Sequence, residues 1–133
     1  MKVSTKGRYA LRFMIDLGQN GGQENCISLK DISGRQHISL KYLEQIVTNL
    51  NRAGLVKSVR GAQGGYRLTR SPEEYTVGEI LRSMEGSLAP VSCLESERNE
   101  CENKDICPAL PFWKGLDQVV TDYVDSVTLD QLI

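Results

Sequence analysis

Three thiols share one short stretch of this 133-residue chain: Cys93, Cys101 and Cys107, with seven and then five residues between them. Thiolates are soft ligands. Three of them on one segment can converge on an iron–sulfur cluster, zinc or Cu(I). Glu95, Glu97, Glu100, Glu102 and Asp105 surround them, against only Arg98 and Lys104. Acidic neighbours raise a thiol pKa and disfavour the bare thiolate, whereas a bound metal reverses that balance. The pattern therefore suits metal ligands better than nucleophiles. A redox disulfide, or a loop that has lost its role, is compatible with the same spacing, and no fourth protein ligand is evident. Cys26 stands apart, before a helix, and reads as a buried structural residue. His37, the single histidine, falls in a turn and reads as a turn residue.

Enzymatic chemistry finds no support. No histidine accompanies a candidate nucleophile. Gly61-Ala62-Gln63-Gly64-Gly65 lies between two strand-like runs, not between a strand and a helix, so it is not a phosphate-cradling loop. The near-neutral total charge hides a division. Residues 1–70 carry twelve Lys/Arg and four Asp/Glu, while residues 71–133 carry four and thirteen. A basic half suits a polyanion, because neutralised phosphates release condensed counterions. No apolar run approaches the ~20 residues that span a bilayer. The start, Met-Lys-Val-Ser-Thr-Lys-Gly-Arg, lacks an apolar signal region, so a cytoplasmic protein with reduced thiols and no membrane contact is expected.

The elements that must position these groups follow from periodicity. Ala10, Phe13, Met14 and Leu17 share one helix face in a segment from about Thr5 to Leu17, stopped by Asn20-Gly21-Gly22. Cys26-Ile27 suggests a brief strand. Ser28, with Asp31 three residues on, caps a short second helix ending near Gly34-Arg35-Gln36. Ser39 caps a third, with Leu43, Ile46, Val47 and Leu50 inward and Gly54 at its end. Its other face presents Lys41, Tyr42, Gln45 and Asn49. Two helices joined by a tight turn form a helix-turn-helix. Leu55–Arg60 and Tyr66–Thr69 then alternate around the glycine-rich tip, as a β-hairpin or "wing" does.

Thr76-x-x-Glu79 is a capping box that opens a fourth helix through Ile80, Leu81 and Met84, closed by Gly86. Residues 87–111 read as a long loop. From about Phe112 to Val127, Trp113, Leu116, Val120, Tyr123 and Val127 form a coiled-coil-like seam that must pack on the protein's own core or on a partner.

This arrangement is mainly α with a small β-hairpin wing: a winged helix-turn-helix plus a long C-terminal helix. Its candidate DNA contacts are Ser39, Lys41, Tyr42, Glu44 and Gln45 around the recognition helix, and Arg60 and Gly61 at the wing. Ser4, Thr5, Lys6 and Arg8 surround the first helix start, whose N–H groups favour phosphate. Gln45 suits adenine. Glu44, an acid on a basic face, suits the rejection of some sequences. The same trihelical unit also suits a protein-interaction module that modulates an enzyme.

Ser4-Thr5-Lys6-Gly7-Arg8-Tyr9, Lys41-Tyr42-Leu43-Glu44-Gln45, Val59-Arg60-Gly61-Ala62-Gln63-Gly64-Gly65-Tyr66 and Thr76-Val77-Gly78-Glu79-Ile80-Leu81 resemble the IscR/NsrR/CymR-type (Rrf family) bacterial winged-helix regulators over essentially the whole chain. The cysteine trio is most similar to that of the IscR-like sensors. The resemblance implies a homodimer on double-stranded DNA, joined by the C-terminal helix, and a [2Fe-2S] cluster held by Cys93, Cys101 and Cys107. It also implies control of iron–sulfur biogenesis genes, an assembly machinery as cluster donor, and Glu44 as the acid that separates operator classes. The implied parts are a DNA-binding domain over 1–86, a cluster-binding loop over 87–111, and a dimerisation helix and tail over 112–133. Two positions depart from the pattern. Leu110 stands where IscR-like members carry a histidine ligand, and Arg8 where NsrR-like members carry an acid. Neither can ligate, so the fourth ligand is left unassigned. CymR-like members, which sense cysteine status, lack the trio.

Overall fold

The computed structural model describes residues 2–133. Five helices and one hairpin follow in order: α1 (Thr5–Asn20), α2 (Leu29–Gln36), α3 (Leu40–Arg52), β1 (Val56–Val59), β2 (Gly65–Leu68), α4 (Val77–Glu85) and α5 (Leu110–Ser126). The expected caps are in place. The hydroxyls of Ser28, Ser39 and Thr76 accept from the backbone N–H of Asp31, Tyr42 and Glu79 at 3.1, 3.1 and 3.0 Å. Each satisfies a helix-end donor that has no partner within the helix. The return half of the capping box at Thr76 is not made. Glu79 turns its carboxylate to Arg70 at 2.7 Å, a charged partner that competes with the neutral backbone donor.

One core holds the helices together. Phe13, Met14 and Leu17 of α1, Ile32 of α2, Leu43, Ile46 and Leu50 of α3, and Ile80 of α4 are all fully buried in it. Leu129, in the 3-10 turn Leu129–Leu132 after α5, joins them, so the tail returns to the core. It is pinned there by Val77 N–H to Val127 O at 2.9 Å and Leu129 N–H to Tyr75 O at 3.0 Å.

The hairpin is antiparallel, with Val56 opposite Leu68 and Val59 opposite Gly65. The expected strand at Cys26-Ile27 is a single bridge: Ile27 and Tyr66 exchange two backbone bonds of 2.9 Å. Gly65 permits this approach, since a Cβ there would overlap the Ile27 carbonyl.

Several boundaries differ from expectation. Helix α1 runs on to Asn20, whose amide folds back to the Asp16 carbonyl at 2.9 Å. Strand β1 is one residue shorter at each end than expected, and β2 keeps its length but lies one residue nearer the tip. Helix α5 starts at Leu110, because Pro111 occupies its first turn, where the missing N–H costs nothing. Among the described residues, no helix is long and apolar enough to cross a membrane.

Candidate functional site

Burial of Leu43, Ile46, Val47 and Leu50 decides which side of α3 faces outward. That side presents Leu40, Lys41, Glu44, Gln45 and Thr48, all exposed. Lys41, Glu44 and Gln45 stand where sequence periodicity puts them. Tyr42 does not stand free. It is half-buried and packs edge-on against Tyr9, with ring centroids 5.7 Å apart. The Arg12 guanidinium covers the Tyr9 ring at 5.2 Å. Asn49, expected on the outer face, is half-buried with its amide 3.8 Å from the Met84 sulfur. Leu40 and Thr48 are outward residues the periodicity reading passed over; the Thr48 hydroxyl donates to the Glu44 carbonyl at 2.8 Å.

The turn before α3 is held by a carboxylate that sequence reasoning missed. Asp16 lies on the apolar face of α1 and is 1% exposed. It accepts two bonds from Arg35, at 3.0 and 2.7 Å, and one from the Gln36 amide at 2.9 Å. Burial alone would push its carboxyl pKa up. The bonds from Arg35, Gln36 and Asn20 and the Arg35 charge outweigh this and hold it below the ordinary range. Arg12 adds bonds to the Gln36 side chain and carbonyl. Next, His37 takes the left-handed conformation at φ 55° and ψ 43°, and the Ser33 hydroxyl donates to the Ile38 carbonyl at 2.6 Å. The signal available in the sequence was an acid between Phe13 and Leu17, inside an apolar stripe.

The wing is anchored at its base and free at its tip. Tyr75 is fully buried. Its hydroxyl donates to the Leu55 carbonyl at 2.8 Å and accepts from the N–H groups of Thr69 and Arg70 at 2.8 and 3.1 Å. The Arg70 guanidinium stacks on its ring at 4.4 Å. Lys57, Arg60 and Gly61 are exposed, and Gly61 has φ 119°, a conformation that favours glycine.

The start of α1 is partly occupied. The Ser4 hydroxyl accepts from Gly7 N–H at 3.1 Å, while Ser4 N–H and Oγ both donate to Glu85, at 2.9 and 2.5 Å. A carboxylate from α4 therefore sits at the expected phosphate seat. Thr5 and Arg8 are exposed and Lys6 half-buried, with the Arg8 guanidinium 3.1 Å from the Thr5 hydroxyl.

The cysteine loop begins one residue later, after Gly86. Cys93 lies in a 3-10 turn, Ser92–Leu94. Cys93 and Cys107 are half-buried, Cys101 is exposed, and all are free thiols. Among the described residues, no three His, Cys, Asp or Glu side chains are grouped to hold a metal ion. The three thiols therefore share a loop without meeting at one point. Hydrogen bonds around them are local, as from Cys101 N–H to Asn99 Oδ1 at 2.9 Å and Lys104 N–H to the Cys101 carbonyl at 3.2 Å. As a donor set, three soft thiols suit an iron–sulfur cluster. Leu110 opens α5 and brings no donor. A hollow of about 470 Å³ lies where the loop meets α4, α5 and the segment preceding α1, lined by Val3, Leu81, Glu85, Leu88, Glu95 and Val120.

Helix α5 has no fully buried residue. Trp113, Leu116, Val120 and Val127 are half-buried as the seam predicts. Tyr123 instead lies outward at 68% exposure, on a second stripe with Phe112 at 64% and Val119 at 66%. The C-terminal end of the helix is fastened to α4 by the Arg82–Asp125 pair, at 2.7 and 3.1 Å.

The family model for Rrf2, described as an iron-dependent transcriptional regulator, matches residues 3–133. The transcriptional regulator IscR of Pectobacterium carotovorum is 40% identical over all of this chain and 79% of its own length. The regulator CymR of Bacillus subtilis is 44% identical over 99% of this chain and 89% of its own. The solved structure of B. subtilis CymR, the global cysteine regulator, superposes with a TM-score of 0.80 at 39% identity, over 99% of this chain and 95% of that one.

Proposed function

This chain belongs to the Rrf2 family of transcriptional regulators, and on that premise we propose that it reads double-stranded DNA as a homodimer and reports iron–sulfur cluster status through Cys93, Cys101 and Cys107. It is a regulator and not an enzyme. The observation that carries the reading is the outward face of α3, whose Lys41, Glu44 and Gln45 stand free beside a wing carrying Arg60 and Gly61. Helix α3 enters the major groove with its first turn toward base edges, and the wing reaches the minor groove or phosphates. Gln45 pairs with adenine, Glu44 accepts from a cytosine amine, and Ser39, Lys41, Arg60, Thr5, Lys6 and Arg8 serve the backbone. Ser4 acts as the cap of α1, and Tyr42 as packing beneath the reading face.

Residues 1–86 form the reader, 87–111 the sensor and 112–133 the dimerisation segment. A helix with apolar stripes on two sides needs cover on both. α4 covers one side of α5, and a second copy covers the Phe112–Val119–Tyr123 stripe. Two reading helices then meet half-sites about 34 Å apart. When bound, a cluster would supply a redox-sensitive tie between the thiolates. The chain's own part is to bring the three thiols together, which orders the segment linking Glu85, at the foot of α1, to the start of α5. Ordering that segment favours one arrangement of the two reading helices over another.

Anaerobic purification tests the sensor. Brown protein containing iron and sulfide, with colour lost in Cys93→Ala, Cys101→Ala and Cys107→Ala but kept in Cys26→Ala, is the expected result. A colourless protein under those conditions sinks it. The second reading is a cysteine-metabolism repressor without a cluster. It is favoured by the similarity to CymR and by the separation of the three thiols. Its mark is DNA binding that ignores the three substitutions.

A further inference from the structure

Every large apolar residue of α3 except one is buried or half-buried. Leu43, Ile46, Val47 and Leu50 enter the core, and Tyr42 packs on Tyr9. The exception is Leu40, the first residue of the helix, which is 43% exposed. It is not among the half-buried residues that pack against the core. Its neighbours on either side serve other ends: the Ser39 hydroxyl caps Tyr42 N–H, and Lys41 is a solvated charge. One helical turn on stands Glu44, on the same flank. A leucine left in water at the leading turn of a recognition helix forgoes the gain from burying its methyl groups. That turn is the part of the helix that approaches base edges, and in the major groove one base edge is apolar, the 5-methyl of thymine.

We infer that Leu40 reads a thymine: its side chain covers a thymine 5-methyl beside the base that Glu44 contacts, and so sets sequence preference by apolar contact. The inference rests on the DNA reading above and adds a recognition chemistry to it. Gln45 and Glu44 select by hydrogen bonding. Leu40 selects by shape and desolvation, and so favours thymine over cytosine, which offers no methyl at that position and exposes an amine.

The test replaces thymine by deoxyuridine, which keeps every hydrogen-bonding group and removes only the methyl. A genomic fragment that the unaltered protein shifts specifically is made with thymine and with uracil, and affinity is measured at one salt concentration. The unaltered protein should bind the uracil fragment about three- to tenfold more weakly, the scale of one or two buried methyl groups. Leu40→Ala should bind the thymine fragment with a similar loss and be indifferent to the exchange, with an unchanged far-ultraviolet circular dichroism spectrum. Leu40→Met, which restores an apolar tip, should regain part of the difference. Equal affinity of the unaltered protein for both fragments overturns the inference while leaving DNA recognition intact. A full thymine–uracil difference persisting in Leu40→Ala overturns it too, since another residue then reads the methyl. Failure of the unaltered protein to shift any genomic fragment overturns the DNA reading itself and the inference with it.

Discussion

The turn before the recognition helix and the loop that carries the cysteines are both irregular segments between helices, yet they are held in opposite ways. The turn is fastened by a buried carboxylate with three strong bonds, a hydroxyl on a carbonyl, and a residue in the left-handed region. The cysteine loop makes bonds among its own neighbours, and its three thiols do not meet. A reader of DNA has to be ordered before its ligand arrives, because ordering it on binding costs affinity. A sensor needs two arrangements of similar free energy, so that a ligand can choose between them. Many tertiary bonds in the loop would remove the second arrangement.

The turn depends most on Asp16. Asp16→Ala leaves Arg35 and Gln36 without their acceptor, and a loss of about 2–3 kcal/mol is expected in denaturant unfolding, moderated because Arg35 is partly solvated. The folded Asp16 pKa is depressed, so its contribution is complete above the ordinary carboxylate pKa of about 4 and is lost as pH falls through the folded value. The gap between the unaltered protein and Asp16→Ala should therefore be widest at neutral pH and narrow as pH falls below the ordinary carboxylate range. A pH-independent gap would remove the ion pair from the account. Tyr75→Phe comes next. It strands the N–H groups of Thr69 and Arg70 at the base of the wing, and about 1–2 kcal/mol should be lost.

Arg60 is exposed and, among the described residues, its side chain makes no hydrogen bond, so Arg60→Ala should move stability by less than about 0.5 kcal/mol. DNA affinity should drop roughly tenfold, and the slope of log affinity against log salt should fall by about one. A change in stability without a change in slope would make Arg60 structural. His37→Gly relieves a non-glycine residue from the left-handed region and should stabilise by at most about 1 kcal/mol. At the far end of the scale, single Cys→Ala changes in the loop should leave the unfolding of metal-free protein unaltered within about 0.5 kcal/mol. A large loss there would erase the contrast between turn and loop.

The parts legible in the sequence were those written by local rules. Ser28, Ser39 and Thr76 announced helix starts, the stripe from Leu43 to Leu50 oriented α3, and the glycine-rich tip marked the wing. What escaped depends on contacts between distant segments. Asp16 meets Arg35 only after α1 and α2 pack. Glu85 meets Ser4 across 81 positions of chain, and Tyr75 reaches back to Leu55. Glu79 matched a capping box by spacing but found a stronger partner in Arg70. On α5, one seam was expected and two apolar stripes are present, because a periodicity search reports one favoured face and says less about a helix that needs cover on both. For the cysteines, spacing suggests a donor set, while their separation in the fold reflects a loop that no local rule closes.

In the proposed function, the loop thiols govern a preformed DNA reader. The most direct measurement titrates anaerobically purified protein against a specifically bound genomic fragment, as isolated and again after removal of iron with a chelator, at constant salt. A change of several-fold in affinity, absent when Cys93, Cys101 and Cys107 are replaced by Ala, is the expected result. Identical binding curves for the two preparations would contradict it.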